Sequence, residues 1–195
     1  MKFENHIIFG GQGFIGQNLT EFLLLQNAKV LSIDKNIWGL NFQSWVVNSR
    51  DFQFFEYDLC TDKNKIIHEL KKINFLPDNT MIWHLAANSD IQLGNEKIEI
   101  DLQNTFLSTI SIIDICKSLN FRNLSFASSS AVYGELLNRK YFLEEDQTLP
   151  ISNYGAMKLA SEAVLSVAHN DFMDIVNIFR FPNVIGSPAT HGVII

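Results

Sequence analysis

Two isolated cysteines, Cys60 and Cys116, are all the thiols in this chain. They cannot staple a small fold together, and their spacing matches no metal-ligand motif. They read as reduced side chains, which suits the cytoplasm. The five histidines (His6, His68, His84, His169 and His191) are equally scattered, and no metal site is expected. No run of Lys or Arg occurs, and 15 basic against 21 acidic residues give a net charge of −6. Nucleic acid and anionic membrane surfaces are therefore not expected partners. No apolar stretch approaches the roughly 20 residues needed to span a bilayer, and the N-terminus enters a strand without a signal-peptide pattern. Internal repeats and low-complexity segments are missing too.

What is present is a globular composition: 195 residues, 47% hydrophobic and 18% charged, enough for one substantial domain with a continuous core. Apolar, β-branched runs near 6–9, 29–33, 52–57, 81–86, 123–128 and 174–181 read as strands. They alternate with helical patterns near 14–26, 62–74, 96–118 and 153–169. Alternation of this kind predicts an α/β fold, a doubly wound parallel sheet of Rossmann type with helices on both faces. The strands are nearly continuous in hydrophobicity, as sheets buried on both sides require. Residues 35–50, with Trp38, Trp45 and several Asn, fit no clean helix and read as a loop or short helical turns.

The first strand runs directly into Gly10-Gly-Gln-Gly13-Phe-Ile-Gly16 and then a helix. That order gathers backbone N–H groups and the positive helix end at one point, where a pyrophosphate binds without a side-chain cation. Gly10 permits the turn, Gly13 lets backbone approach the phosphates, and Gly16 allows close packing of helix on strand. The second strand ends in Asp34, 18 residues after Gly16. A carboxylate there accepts hydrogen bonds from both hydroxyls of an adenine ribose and repels a 2′-phosphate, so NAD is favoured over NADP. Lys35 works against that preference, because a cation beside the site tolerates the extra phosphate.

Farther along, Tyr154-Gly-Ala-Met-Lys158 begins a helix and puts both side chains on one face, one turn apart. A nearby ammonium favours the phenolate, so the tyrosine's pKa is expected to fall from about 10 toward neutrality. Such a phenol can carry the proton of a sugar or alcohol hydroxyl. Tyr-x-x-x-Lys also occurs as a mere surface pair. The hydroxyls of Ser128, Ser129 and Ser130 lie at the carboxyl end of the 123–128 strand, the edge where parallel sheets bind ligands; capping of backbone groups is the other reading. Trp83-His84-Leu-Ala-Ala87 sits at another strand's carboxyl end, with small side chains that admit a flat cofactor. His84 itself reads as structural.

Together these motifs identify a resemblance to the extended short-chain dehydrogenase/reductase family, in its NAD-dependent nucleotide-sugar epimerase/dehydratase branch. It runs from residue 6 to about 192. It rests on Gly10–Gly16, Asp34, Asp58-Leu59, His84-Leu-Ala-Ala87, Ser128-Ser-Ser-Ala-Val-Tyr-Gly134, Tyr154-x-x-x-Lys158 and Arg180-Phe-Pro-Asn-Val-Ile-Gly186. Glu145-Asp146 with Pro150 is similar to the family's substrate-side loop. The resemblance implies that Gly10, Gly13, Phe14 and Ile15 contact the pyrophosphate and that Asp34 holds the adenine ribose. Asp58 and Leu59 would flank the adenine; Leu85, Ala86 and Ala87 would line the path to the nicotinamide ribose. Tyr154 is implied as catalytic base, Lys158 as the ribose-holding cation, Ser129 as the catalytic hydroxyl, and Ser130 and Asn183 as substrate contacts.

Two departures matter. Where 4,6-dehydratases of the family carry an Asp-Glu pair, this chain has Ser130 and Ala131, which cannot do acid–base work; decarboxylases keep a Glu at the second position. Asp101-Leu-Gln-Asn-Thr105 stands where members commonly show Asn-x-x-Gly-Thr. The resemblance therefore implies 4-epimerisation of a UDP-sugar through a transient 4-keto sugar. A sugar-nucleotide reductase or dehydrogenase, or a dinucleotide-binding module without turnover, are the alternatives. It also implies a homodimer through the helices near 96–118 and 153–169. Residues 1–181 are expected to form the NAD-binding domain and 182–195 to begin a truncated substrate lobe, or else a short final strand. The chain is accordingly expected to bind NAD while turning over sugar nucleotides poorly or not at all.

Overall fold

The computed structural model describes residues 3–35, 42–88, 90–135 and 141–186. Trp38, His191 and the apolar end at Val193–Ile195 lie outside the described residues. Six strands form one parallel sheet: β1 Asn5–Phe9, β2 Lys29–Asp34, β3 Phe52–Glu56, β4 Thr80–His84, β5 Asn123–Ser129 and β6 Ile175–Phe181. Their order is β3-β2-β1-β4-β5-β6. Strand order reverses between β1 and β4, so the chain leaves these neighbours toward opposite sides and opens a cleft at their carboxyl ends.

Helices α1 Phe14–Leu25 and α2 Ser44–Val47 cover one face, burying Leu23, Leu24 and Val46 against Ile8 and Val30. On the other face, α3 Lys63–Leu70, α6 Ser108–Leu119 and α7 Asn153–Asp171 bury Ile66, Ile112, Ile115 and Leu165 against Ile7, Leu31, Ile82 and Leu124. Burial of this apolar surface on both sides supplies the main driving force for the fold. Among the described residues, no helix is long and apolar enough to cross a membrane.

The structure corrects two expectations. Continuous burial holds for β1 and for most of β2, β4 and β5, but β3 and β6 are half-exposed. They are the sheet edges, where packing partners stand on one side only. The helix expected near 96–118 is not one helix. It begins as α4 Ile91–Glu96, breaks at Lys97 in extended backbone, resumes as α5 Ile98–Asp101, widens into a π segment over Leu102–Leu107, and then becomes α6. An i→i+5 turn rotates the side chains that follow it, and such segments recur at functional sites.

Candidate active site

Helix α1 begins at Gly13 with no side-chain cap and no acid in its first turn. By contrast, Ser152 caps α7 by accepting from the Gly155 N–H, and Asp90 caps α4 by accepting from the Leu93 N–H. The first-turn N–H groups of α1 are thus left to the cleft, together with the positive end of the helix. The turn before it is fixed by Gly10 N–H donating to Ile33 O at 2.9 Å and Gln12 N–H donating to Asp34 Oδ2 at 3.0 Å. Gly10 sits at φ +83°, and a Cβ there would lie 2.5 Å from the Ala86 nitrogen. Gly16 is also required, since its Cβ would meet Gly11 Cα at 2.6 Å. Its close approach is to the turn itself rather than to a strand.

A cleft of about 490 Å³ runs along the carboxyl edge from this turn to α7. Gly10, Gly13, Phe14, Ile15, Gly16, Asp34, Lys35, Asp58, Leu59, Leu85, Ala86, Ala87, Ser129, Tyr154 and Lys158 all line it. Ser130 and Asn183 do not; the cleft reaches Ser128 and Val184 instead. Ser130 opens a short 3-10 turn, Ser130–Val132, which carries it off the edge.

At the α7 end, Lys158 is 1% exposed and donates to Ala127 O at 2.6 Å, with its ammonium 4.7 Å from the Phe126 ring centre and 5.7 Å from that of Tyr154. Burial pulls its pKa down to about 7, against an upward pull from Glu162. Burial pushes the Tyr154 phenol up to about 12; a hydrogen bond with Ser129 opposes this, and Asp101 adds to it. The expected fall of the phenol toward neutrality is therefore not found. Removing both groups from water costs more than the lysine's charge returns. His84 is fully buried, its Nε2 2.8 Å from Thr109 Oγ1 and its Nδ1 without a partner. Burial holds it well below the ordinary histidine range, so it is neutral and structural.

Residues given no role by the sequence reading complete the site. Asp101 is fully buried; its Oδ1 accepts from Asn88 Nδ2 at 2.8 Å, while its Oδ2 has no partner and lies against the backbone of Gly94. It thereby fixes Asn88, which lines the cleft directly after Ala87. Glu162, one turn beyond Lys158, accepts from Ser128 Oγ and pairs with Arg180 at 2.8 Å. Arg180 also donates to the Tyr133 hydroxyl at 2.8 Å and to Glu144 O at 3.0 Å. One guanidinium thus joins the edge strand, α7 and the segment after residue 140. The i+4 spacing of Lys158 and Glu162 was the available sequence signal; the partners on β6 and beyond were not legible locally.

Because Asp101 raises the proton affinity of the Tyr154 phenol, Asp101→Asn is expected to shift phenolate formation to lower pH. The isosteric amide keeps an acceptor for Asn88. Titration of phenolate absorbance, with Tyr154→Phe as the baseline, measures the shift; an unchanged titration removes Asp101 from the electrostatics of the site.

The comparisons with known proteins agree with this geometry. The model of the NAD dependent epimerase/dehydratase family matches residues 6–193. A structure of UDP-N-acetylglucosamine 4-epimerase from Methanobrevibacter ruminantium is 29% identical, with a TM-score of 0.81 over all of this chain and 61% of its own. UDP-glucose 4-epimerase of Thermus thermophilus, solved with NAD, is 27% identical with a TM-score of 0.78, covering 90% of this chain and 54% of its own. A probable dTDP-glucose 4,6-dehydratase of Sinorhizobium fredii is 30% identical over 80% of this chain and 46% of its own length. The chain spans about half the length of the curated relatives it matches.

Proposed function

This chain belongs to the NAD-dependent epimerase/dehydratase family, and we propose that it acts on a nucleotide sugar, as a 4-epimerase of a UDP-sugar. The chain's own residues fit the cofactor. The uncapped start of α1 offers N–H groups to a pyrophosphate, and Gly10 and Gly16 leave no room for side chains at the turn. Asp34 would hold the adenine ribose at the end of β2, and Lys158 the nicotinamide ribose. When bound, NAD supplies a reversible two-electron acceptor for carbon 4 of the sugar. Tyr154 takes the proton of the 4′-hydroxyl and returns it, with Ser129 as hydrogen-bond partner. Lys158, when protonated, supplies the positive charge that offsets the phenolate.

One observation carries the choice of reaction. Among the described residues, Asp34 and Asp58 are the only carboxylates lining the cleft, and both stand at the glycine end. At the Tyr154 end the cleft is lined by hydroxyls, neutral amides and one buried ammonium, and the Asp101 carboxylate near Tyr154 is fully buried and does not line it. That set can move a proton at a single hydroxyl. It lacks the acid–base pair that elimination of water across carbons 5 and 6 needs, and Ser130 and Ala131 supply none. The dehydratase alternative is disfavoured on the same ground.

Ile98, Leu102, Leu107 and Val167 expose apolar surface on the α5-to-α6 segment and on α7, which supports a homodimer through these helices. Residues 1–181 serve as the dinucleotide-binding unit in this reading.

The test is to incubate the chain with NAD and UDP-glucose, UDP-N-acetylglucosamine or UDP-glucuronate, and to follow the sugars by NMR. The expected product is the C4 epimer, at any rate above that of the Tyr154→Phe control. A 4-keto-6-deoxy product, or epimer at equal rate in the control, overturns the assignment. NAD retention with no product leaves the binding module as the function.

A further inference from the structure

Lys158 and Glu162 stand one turn apart on α7, and both are buried, at 1% and 7% exposed. Residues four apart share a helix face. Each also meets a neighbouring residue of β5: Lys158 Nζ donates to the Ala127 carbonyl, and Glu162 accepts from Ser128 Oγ. The two side chains therefore lie side by side under the same strand end. A buried ammonium is costly unless an opposite charge accompanies it, and the acceptor of this one is a neutral carbonyl.

The carboxylate is fixed from its other side. Arg180 on β6 reaches it as a fork, Nε donating to Oε1 at 3.0 Å and one Nη donating to Oε2 at 2.8 Å. The other Nη donates to the Tyr133 hydroxyl and the Glu144 carbonyl, which holds the guanidinium plane in place. Pairing through two bonds sets orientation as well as distance. The remaining ionisable groups near Lys158 play other parts. Tyr154 is a phenol one turn before it, and His84 at the end of β4 is neutral. Asp101 on α5 bears on Tyr154 and holds Asn88. Helices α4 and α6 meet α7 through the uncharged Asn95 and Thr109, and through the exposed Lys117–Asp171 pair at its far end. Glu162 is the group whose charge draws a proton to Lys158.

We propose that Glu162 is a positioning residue of the proton chemistry: clamped by Arg180, it keeps Lys158 charged where the nicotinamide ribose and the Tyr154 hydroxyl would meet it. Glu162 does not line the cleft; it acts through Lys158. The charge so held makes the lysine a stronger donor to a ribose hydroxyl and offsets the phenolate. Dinucleotide binding to the charged lysine then weakens as pH rises past the point where the lysine loses its proton. This inference rests on the dinucleotide reading above and adds to it a residue that touches neither cofactor nor substrate.

The experiment follows the Cε resonance of Lys158 across pH by NMR, in ligand-free protein carrying isotopically labelled lysine. The peak is the one missing from Lys158→Met. Titration calorimetry then measures dissociation constants for NAD+ at pH 6 and pH 8, and thermal melts confirm folding. In Glu162→Gln the Lys158 titration is expected to move to lower pH. That variant is expected to bind NAD+ about fivefold more weakly than the parent at pH 8, and less than about twofold more weakly at pH 6. Glu162→Asp keeps the charge one methylene farther back and is expected to fall between the two; it carries the test if the amide variant does not fold. An unmoved Lys158 titration, or an equal loss of affinity at both pH values, overturns the proposal. A parent that does not bind NAD+ overturns the dinucleotide reading instead, while the lysine titration still decides the role of Glu162.

Discussion

Gly10→Ala yields a chain that has lost dinucleotide binding and roughly 3 kcal/mol or more of stability. Two independent conflicts produce the effect. The position is held at φ +83°, where an L side chain is strained, and the new Cβ would sit 2.5 Å from the Ala86 nitrogen and 2.8 Å from its Cα. Backbone cannot yield as a flexible side chain does. Relief therefore requires the β1–α1 turn to move away from the segment after β4, and those are the two walls of the cleft. Gly13→Ala is the control. Its Cβ would meet only Gly10 O, at 3.3 Å, and its φ of −70° is open to any residue. That variant is expected to unfold within about 1 kcal/mol of the parent, yet to bind NAD roughly tenfold more weakly, because the methyl group stands where the pyrophosphate is proposed to approach. Urea unfolding and calorimetric titration separate the two effects. Equal stability of Gly10→Ala and the parent would refute the account of the turn.

The second large effect concerns Lys158. Its pKa is about 7 in the folded chain, against an ordinary 10.5. Between those values the unfolded chain binds more protons than the folded one. Folding stability therefore climbs as pH rises from 7 toward 10.5, and below pH 7 the lysine imposes its full penalty, on the order of 4 kcal/mol. Lys158→Met removes the titration and fills similar space. It also removes the donor to Ala127 O, a loss that does not depend on pH. The stability of the variant relative to the parent is thus expected to be about 2 kcal/mol greater at pH 7 than at pH 9. Urea unfolding of the ligand-free proteins at the two pH values measures this. Parallel pH dependence would show that Lys158 titrates in the folded chain as it does in water. The same substitution removes the cation proposed to hold the nicotinamide ribose, so relief of the burial penalty near neutrality accompanies lost function, a familiar conflict at active sites.

The two halves of the site differ in how they reach their chemistry. The turn after β1 is built from backbone, and what matters there is the absence of side chains. The α7 end is built from side chains withdrawn from water, and what matters is the cost of their charge. Tyr154 at about 12 and Lys158 at about 7 are both displaced in the direction of neutrality. Near pH 7 the ligand-free phenol is protonated and about half of the Lys158 side chains carry their charge.

Much of this was legible in the chain itself. The alternation of apolar runs and helical patterns fixed six strands and their parallel sense, because side-chain period and crossover geometry are local matters. The glycine turn, the acid closing β2 and the Tyr–Lys spacing were legible for the same reason: each depends on residues within one turn or one strand end. Other features depended on residues far apart in sequence and could be decided only by packing. The edge positions of β3 and β6 follow from strand order. The break at Lys97 and the π turn beyond it bring Asn104 to Lys35. The pairing of Glu162 with Arg180 joins α7 to β6, and the proton affinities of Tyr154 and Lys158 follow from how completely the fold removes them from water. Periodicity and turn chemistry are written in neighbouring residues, whereas desolvation and long-range contact exist only once the chain has closed on itself.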